Sequence, residues 1–160
     1  MDLLDRLLAH DSWTTRQLLL KASDLSEEKL DHEIDIGHKT LRLTFLHLIR
    51  NMEVWSELMD GRVPDQRQST DNSINELIKR LDSAAELLAT VACSIRDRNG
   101  WDERWIDSLD GIEKTYGGGV AHILTHSMHH RAQILYMLRL HGATDLPEGD
   151  VLSWESASQR

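Results

Sequence analysis

The sequence predicts an all-α protein, a four-helix bundle with a small crossover hairpin between helices three and four. Four long segments carry apolar residues at the 3.6-residue spacing of an amphipathic helix, and the stretch between the last two contains a typical hairpin turn. A chain of 160 residues fits one domain with a sizeable core, so residues 1–160 are expected to form a single domain.

The first two helices are predicted over residues 2–22 and 39–60. Leucines recur on one face of the first helix, and the second helix repeats that pattern with leucine, methionine and tryptophan. Gly61 is a residue type that often follows a helix C-terminus, and Pro64 cannot continue a helix. The second helix is therefore expected to end at residue 60.

The third helix is predicted to begin at Ser73, whose spacing to Glu76 matches a capping box, and its apolar stripe continues to Ile95. The fourth helix is expected over residues 118–141. The glycines at 117–119 lack the Gly-Lys-Ser/Thr ending of a phosphate-binding loop. They are therefore expected to let the chain bend into the fourth helix rather than to bind a nucleotide.

The stretch from 101 to 116 lacks the helical spacing. Two short segments, 104–107 and 112–116, flank Asp110-Gly111, a dipeptide that strongly favours a hairpin turn. A small hairpin is therefore predicted between the third and fourth helices.

The composition excludes several partners. With 27 acidic against 18 basic residues, the formal charge of −9 argues against nucleic acid, whose binding depends on clustered lysine and arginine. No apolar run approaches the roughly 18 residues of a membrane span, and the start of the chain does not resemble a signal peptide. One cysteine, Cys93, excludes an internal disulfide. A cytoplasmic protein that acts on a small molecule is expected.

The strongest functional signal lies between residues 121 and 134, where four of the nine histidines occur. Imidazole is the commonest protein metal ligand, and histidines four residues apart on a helix can converge on one ion. A solvated or core-packed histidine cluster would have the same local sequence. A metal site therefore needs support from elsewhere in the chain.

Helical geometry selects among these histidines. His126 and His130 share the inward face of the fourth helix, whereas His129 lies on its polar flank with Gln133. His122 precedes His126 by the same four-residue step, so it either lines the site without binding metal or faces solvent. Four further histidines lie at helix edges, helix ends or loops, where solvated roles are expected: His10, His32, His38 and His141.

The second helix supplies one inward-facing histidine, His47. Alone, a core histidine is more often a hydrogen-bonded packing residue than a metal ligand. Three imidazoles buried together are costly unless each finds a partner, and a shared cation would be such a partner for His47, His126 and His130.

Two charged residues are also candidates for the site region. Asp11 projects with the leucines of the first helix, so its carboxylate is expected to accept a hydrogen bond from a ligand histidine, to bind water on the metal, or to bond a neighbouring helix. Arg131 lies about 100° around the helix from His130, and a salt bridge to a second-helix carboxylate such as Glu53 is expected.

Several motifs together resemble the DinB family of metal-binding four-helix bundles, which is distinct from the DNA polymerase of the same name. The motifs are Gly37-His38-Lys39-Thr40, Phe45-Leu46-His47-Leu48, Glu53-Val54-Trp55, the run His126-Ser127-Met128-His129-His130-Arg131-Ala132-Gln133-Ile134, Leu138-Arg139 and Gly142, with His10-Asp11-Ser12-Trp13 and the 147–154 tail. The resemblance spans nearly the whole chain. Its most specific part pairs one histidine on the second helix with His-x-x-x-His-Arg-x-Gln on the fourth.

The resemblance implies a three-histidine site for a divalent metal formed by His47, His126 and His130, with open positions for water or substrate. Zinc and nickel are the expected metals, although imidazole also suits copper and iron. The family usually has glycine in place of Ala132, a departure that affects packing more than chemistry. Relatives include thiol-dependent S-transferases and a mycothiol-dependent maleylpyruvate isomerase, so a low-molecular-weight thiol is the implied cosubstrate.

Three functions are compatible with these observations. The first is a metal-dependent thiol S-transferase acting on small electrophiles. The second is a non-enzymatic metal- or ligand-binding bundle, and the third is an interaction scaffold that needs no ion. A homodimer is a further expectation, because Leu124, Met128 and Leu135 form a second apolar row that faces away from the histidines or contacts the third helix.

Overall fold

The structure, a computed structural model, describes residues 1–64 and 70–158. These residues are mostly helical and contain six helices and one two-stranded antiparallel sheet. The elements are α1 (Leu3–Ala22), α2 (Glu27–Leu30), α3 (Leu41–Met59), α4 (Ile74–Asp97), β1 (Arg104–Ile106), β2 (Glu113–Thr115), α5 (Tyr116–Leu140) and α6 (Val151–Ser158). The four long helices lie within two residues of their expected bounds, whereas the short helices α2 and α6 were not predicted.

The four long helices pack in neighbouring pairs. Helix α3 lies against α4 and α5, and α1 lies against the same two helices from the other side. The core between them is formed by the apolar stripes that the sequence shows, with Leu18, Phe45, Leu81 and Ile134 fully buried. In the part of the chain that the structure describes, no helix is both long and apolar enough to span a membrane.

Side-chain caps set the helix starts that position the later site. The hydroxyl of Thr40 accepts the backbone N–H of Leu43 at 3.1 Å and begins α3, and Ser73 Oγ accepts that of Glu76 at 3.3 Å and begins α4, as predicted. Thr115 begins α5 in the same way, through the N–H of Gly118. Each cap satisfies a donor that the first helical turn leaves free.

The glycine run differs from its expected role, because it lies within the first turn of α5 rather than in a bend before it. A Cβ at Gly119 would lie 2.6 Å from Sδ of Met59, and one at Gly117 would lie 3.1 Å from the carbonyl oxygen of Trp101. These glycines therefore let α5 approach α3 and the segment before the hairpin closely.

The predicted hairpin is present, with Arg104 opposite Thr115 and Ile106 opposite Glu113. Its connection spans residues 107–112 and is longer than the two-residue turn that Asp110-Gly111 favours. Oδ1 of Asp107 accepts the N–H of Leu109 at 2.9 Å, and the carbonyl oxygen of Asp107 accepts the N–H of Gly111 at 2.8 Å. Side-chain and backbone bonds of Asp107 thus organise the wider loop.

Candidate metal centre

Three histidines meet between α3 and α5, as the sequence predicted. Nε2 of His126 lies 3.1 Å from Nε2 of His47 and 3.2 Å from Nε2 of His130. His130 is buried, and the other two rings are partly buried. The cluster therefore lies at the edge of the helix packing and not in the centre of the core.

Two of the nitrogen pairs, His126 with His47 and His126 with His130, have spacings close to those of ligands that share an ion. Imidazole nitrogens that bind one zinc ion at about 2.0–2.1 Å in a tetrahedral arrangement lie about 3.3 Å apart. Lone pairs that face one another at the observed distances repel unless a proton or a cation lies between them. The donor set of His47, His126 and His130 could therefore hold a divalent metal.

Gln133 fixes which nitrogen of His130 is free. Nδ1 of His130 lies 2.8 Å from Oε1 of Gln133, and because an amide oxygen only accepts hydrogen bonds, Nδ1 carries the proton. The amide nitrogen of Gln133 lies 3.0 Å from Nε2 of His129, which is consistent with this orientation of the amide. Nε2 of His130 is left with its lone pair pointed at the cluster, as metal-binding histidines usually are.

Gly37 makes room for this amide. Its φ is +54°, and a Cβ there would collide with Oε1 of Gln133. The Gly-His-Lys-Thr motif before α3 and the Gln at the end of the α5 motif are therefore in direct contact. No periodic pattern predicted the roles of Gly37 and Gln133, although both stand in the motifs that carry the family resemblance.

The histidines of the cluster are neutral at pH 7. Burial, together with smaller effects of positive charge on His38 and His130, lowers the pKa of His47 to about 4. Burial likewise lowers the pKa of His126 to about 4, with His130 and His47 acting in the same direction. The pKa of His130 is lowered mainly by burial, against the hydrogen bond to Gln133. Neutral imidazoles offer the lone pairs that a metal requires.

His38 belongs to the cluster, contrary to its expected solvated role. It lies in the loop before α3, and its ring stacks on that of His47 with centroids 3.7 Å apart. One ring nitrogen from each of His38, His47 and His130 lies within 4.8 Å of the other two. Helical periodicity could not predict this position of His38, because His38 lies in a loop and not on a helix.

His122 lies at the rim of the cluster and is exposed. Its ring centroid is 5.4 Å from that of His126 and 4.7 Å from that of Trp55. Nζ of Lys114, in the hairpin, lies over the same indole, 4.9 Å from its ring centroid. His122 therefore both faces solvent and borders the site, and the hairpin holds the aromatic wall beside it.

Comparison with protein families matches residues 1–158 to the DinB family. The chain belongs to the DinB family. A comparison with curated proteins found no match.

In this DinB-family chain, Asp11 and Arg131 form a buried ion pair with each other, and the expected salt bridge from Arg131 to Glu53 is wrong. Glu53 instead accepts two hydrogen bonds from Arg80, at 2.8 and 2.9 Å. The helical wheel showed that Arg131 faces away from His130, but it could not show that the neighbouring helix on that side is α1. Burial raises the pKa of Asp11, and attraction to Arg131 opposes that shift.

Asp11 makes no hydrogen bond to a cluster histidine among the bonds of the described residues. The acceptor for His130 is Gln133, as described above. Of the three roles expected for Asp11, the bond to a neighbouring helix is the one observed, because Arg131 belongs to α5. This pair attaches the helix that carries two of the histidines to α1.

His10 is also buried, contrary to its expected solvated role. Its Nε2 lies 2.9 Å from the carbonyl oxygen of Gly149, and its ring contacts Trp154 of α6. His10 thus secures the C-terminal segment against α1. His32 and His141 pair with each other near loops, away from the cluster.

Two cavities border these groups. One of about 310 Å³ adjoins the cluster and is lined by His38, His47, Leu43, Leu46, Arg50 and Arg80. A larger one of about 680 Å³ lies between α1 and α5, on the face of α5 opposite the cluster, with a mainly apolar lining above Asp11 and Arg131. Although the second is larger, only the first shares side chains with the histidine cluster.

Proposed function

We propose that this protein is a divalent-metal-dependent enzyme built on a four-helix bundle, and that it transfers a low-molecular-weight thiol to small electrophiles. The observation that carries the proposal is the convergence of three Nε2 atoms, from His47, His126 and His130, at distances of 3.1 and 3.2 Å. Membership of the DinB family supports it. Zinc and nickel are the proposed metals.

A bound divalent metal would supply positive charge that lowers the pKa of a thiol, so that the nucleophilic thiolate forms at neutral pH. Three neutral imidazoles would leave the positive charge of the metal uncompensated, whereas carboxylate ligands would neutralise part of it. In the proposed reaction the thiol releases its proton to solvent. The sulfur then forms a bond to a carbon of the electrophile. An alkyl halide loses its halide with the electrons of the broken bond, whereas an epoxide opens at that carbon and its oxygen takes up a proton from solvent.

The chain's own residues orient this chemistry. Gln133 holds His130 in the tautomer that presents Nε2, and the Asp11–Arg131 pair fixes α5 against α1. The partly buried Trp55 and the exposed His122 form a wall beside His126. A planar or apolar electrophile would pack against that wall.

The cavity beside His38 and His47 is the proposed substrate entrance. Arg50 and Arg80 both bond Glu53 at its edge. The volume of about 310 Å³ is within the usual range for small-molecule sites.

The test is turnover by the metal-loaded protein. Bacillithiol, mycothiol and glutathione are each supplied with an alkyl halide or an epoxide, and loss of the free thiol is measured. The expected result is metal-dependent consumption of one thiol that His126→Ala abolishes and His32→Ala, at an exposed histidine outside the cluster, leaves unchanged. Full metal occupancy without turnover of any thiol would contradict the proposal and favour a non-enzymatic metal-binding protein.

We propose in addition that two copies associate through the apolar surface of α1 and α5. Leu3 and Met128 are 72% and 57% exposed there, beside the larger cavity. Leu135, expected in the same row, is buried next to Gly149. Light scattering should give the mass of a dimer that Met128→Lys converts to a monomer; the mass of one chain for the unaltered protein would contradict the dimer.

A further inference from the structure

His38 reaches the cluster from a different direction than the other histidines. His47, His126 and His130 project from helices, whereas His38 lies in the loop that ends at the Thr40 cap of α3. Its ring stacks on His47 at an interplanar angle of 26° and also contacts His130, with centroids 5.3 Å apart. The imidazole of His38 therefore contacts two of the three helical histidines, His47 and His130.

The loop is built to hold this position. Gly37 and Lys39, on either side of His38, both have positive φ values, of 54° and 69°. The carbonyl oxygen of Lys39 accepts the N–H of Ile34 at 2.7 Å, which closes the turn. A left-handed backbone at a lysine is uncommon and is retained only where the surroundings require it.

The distances place His38 near a metal ion that His47 and His130 would share. One ring nitrogen from each of His38, His47 and His130 lies within 4.8 Å of the other two, against about 3.3 Å for nitrogens that share a tetrahedral ion. To bind the same ion, the His38 ring would have to turn out of its stacked position on His47.

We propose that His38 is a fourth ligand of the metal, so that the resting site consists of His38, His47, His126 and His130. The inference rests on the proposed metal site. Four protein ligands complete a tetrahedral shell, which is the usual arrangement of a closed site, whereas catalytic sites keep one position open. His38, the only one of the four on a loop, is the ligand that a thiol would displace.

The test uses Co²⁺, whose visible absorption reports the number and type of its ligands. His38→Phe keeps a ring that stacks on His47 but offers no lone pair, and His32→Phe is the matched control at an exposed histidine that pairs with His141. Both variants are first compared with the unaltered protein by thermal unfolding without metal, so that a folding defect is seen directly.

The expected result is that His38→Phe weakens Co²⁺ binding by at least about tenfold, the lower end of the loss seen when a group outside the ligand set is removed. The visible spectrum of Co²⁺-loaded His38→Phe should also change. His32→Phe should match the unaltered protein in both its Co²⁺ affinity and its spectrum. Equal affinity and an unchanged spectrum for His38→Phe would overturn the inference and leave the three-histidine site intact. Failure of the unaltered protein to bind Co²⁺, Zn²⁺ or Ni²⁺ would overturn both proposals.

A second readout tests the displacement. When 2-mercaptoethanol is titrated into the Co²⁺-loaded proteins, His38→Phe should bind the thiol more tightly than the unaltered protein, because no imidazole competes for the position. Weaker thiol binding by His38→Phe would contradict displacement of His38.

Discussion

Oε1 of Gln133 accepts the Nδ1–H of His130 at 2.8 Å, and this bond leaves Nε2 of His130 bare toward His126. Without this amide, the imidazole of His130 should be free to rotate and to carry its proton on either nitrogen. Gln133→Ala is expected to weaken zinc or nickel binding by about 10- to 100-fold, as measured by competition with a chelator. Gln133 also bonds His129, so His129→Ala is the control. An equal loss in His129→Ala would contradict the assigned role.

A substitution at Gly37 should disturb the same contact between Gln133 and His130. Gly37→Ala would place a Cβ against the amide of Gln133 and should weaken metal binding much as Gln133→Ala does. Gly61→Ala has the same kind of backbone strain, with φ at +75°, but among the described residues no atom lies within 4 Å of its Cβ. It should therefore lose stability without losing metal affinity.

A double-mutant cycle completes this test. Because Gly37→Ala acts partly through the amide of Gln133, the loss of affinity in the double variant should be smaller than the sum of the two single losses. Any loss beyond that of Gln133→Ala alone is expected from the strain that Gly37→Ala puts on the loop of His38. Fully additive losses would show that Gly37 acts on the site independently of Gln133.

The Asp11–Arg131 pair should matter for stability rather than for metal affinity. Both side chains are buried, at 2% and 4% exposure, so Asp11→Asn leaves a buried guanidinium without its counter-charge. The expected loss is about 3–5 kcal/mol in the free energy of unfolding, measured with urea. Asp11→Leu combined with Arg131→Met should recover much of it.

Glu113→Gln provides the control for that prediction. Glu113 forms an exposed ion pair with Arg104 at 2.6 Å, and such pairs contribute about 0–1 kcal/mol. A comparable loss in Glu113→Gln and Asp11→Asn would contradict the importance of burial.

The metal-free protein should lose stability as the pH falls. The pKa of His47 and that of His126 lie at about 4 in the folded protein, against 6.5 for an ordinary histidine. Between these values the unfolded chain binds protons that the folded chain resists, so protonation favours unfolding. The melting temperature should fall from about pH 6.5 to pH 4, and His126→Gln should reduce that fall.

An exposed histidine serves as the control for the pH profile. His32→Gln should leave the slope of melting temperature against pH unchanged. If His126→Gln has the same slope as the unaltered protein, the cluster does not resist protonation.

The sequence predicted the long helices and the three helical histidines, because both depend on periodicity. His126 and His130 share a face at a four-residue step, and His47 lies on the inward side of α3. The same reasoning missed His38, whose position depends on backbone conformation in a loop. It also missed the partners of Asp11 and Arg131, because a helical wheel gives a direction but not the neighbouring helix.

We propose that His47, His126 and His130 together hold one divalent metal ion. Elemental analysis tests this on protein that is purified without a histidine tag, loaded with zinc or nickel and then dialysed, alongside the three single alanine variants. One ion per chain is expected in the unaltered protein, and each variant should lose that ion. Retention of the ion by all three variants, or no bound ion in the unaltered protein, would show that these histidines do not hold it.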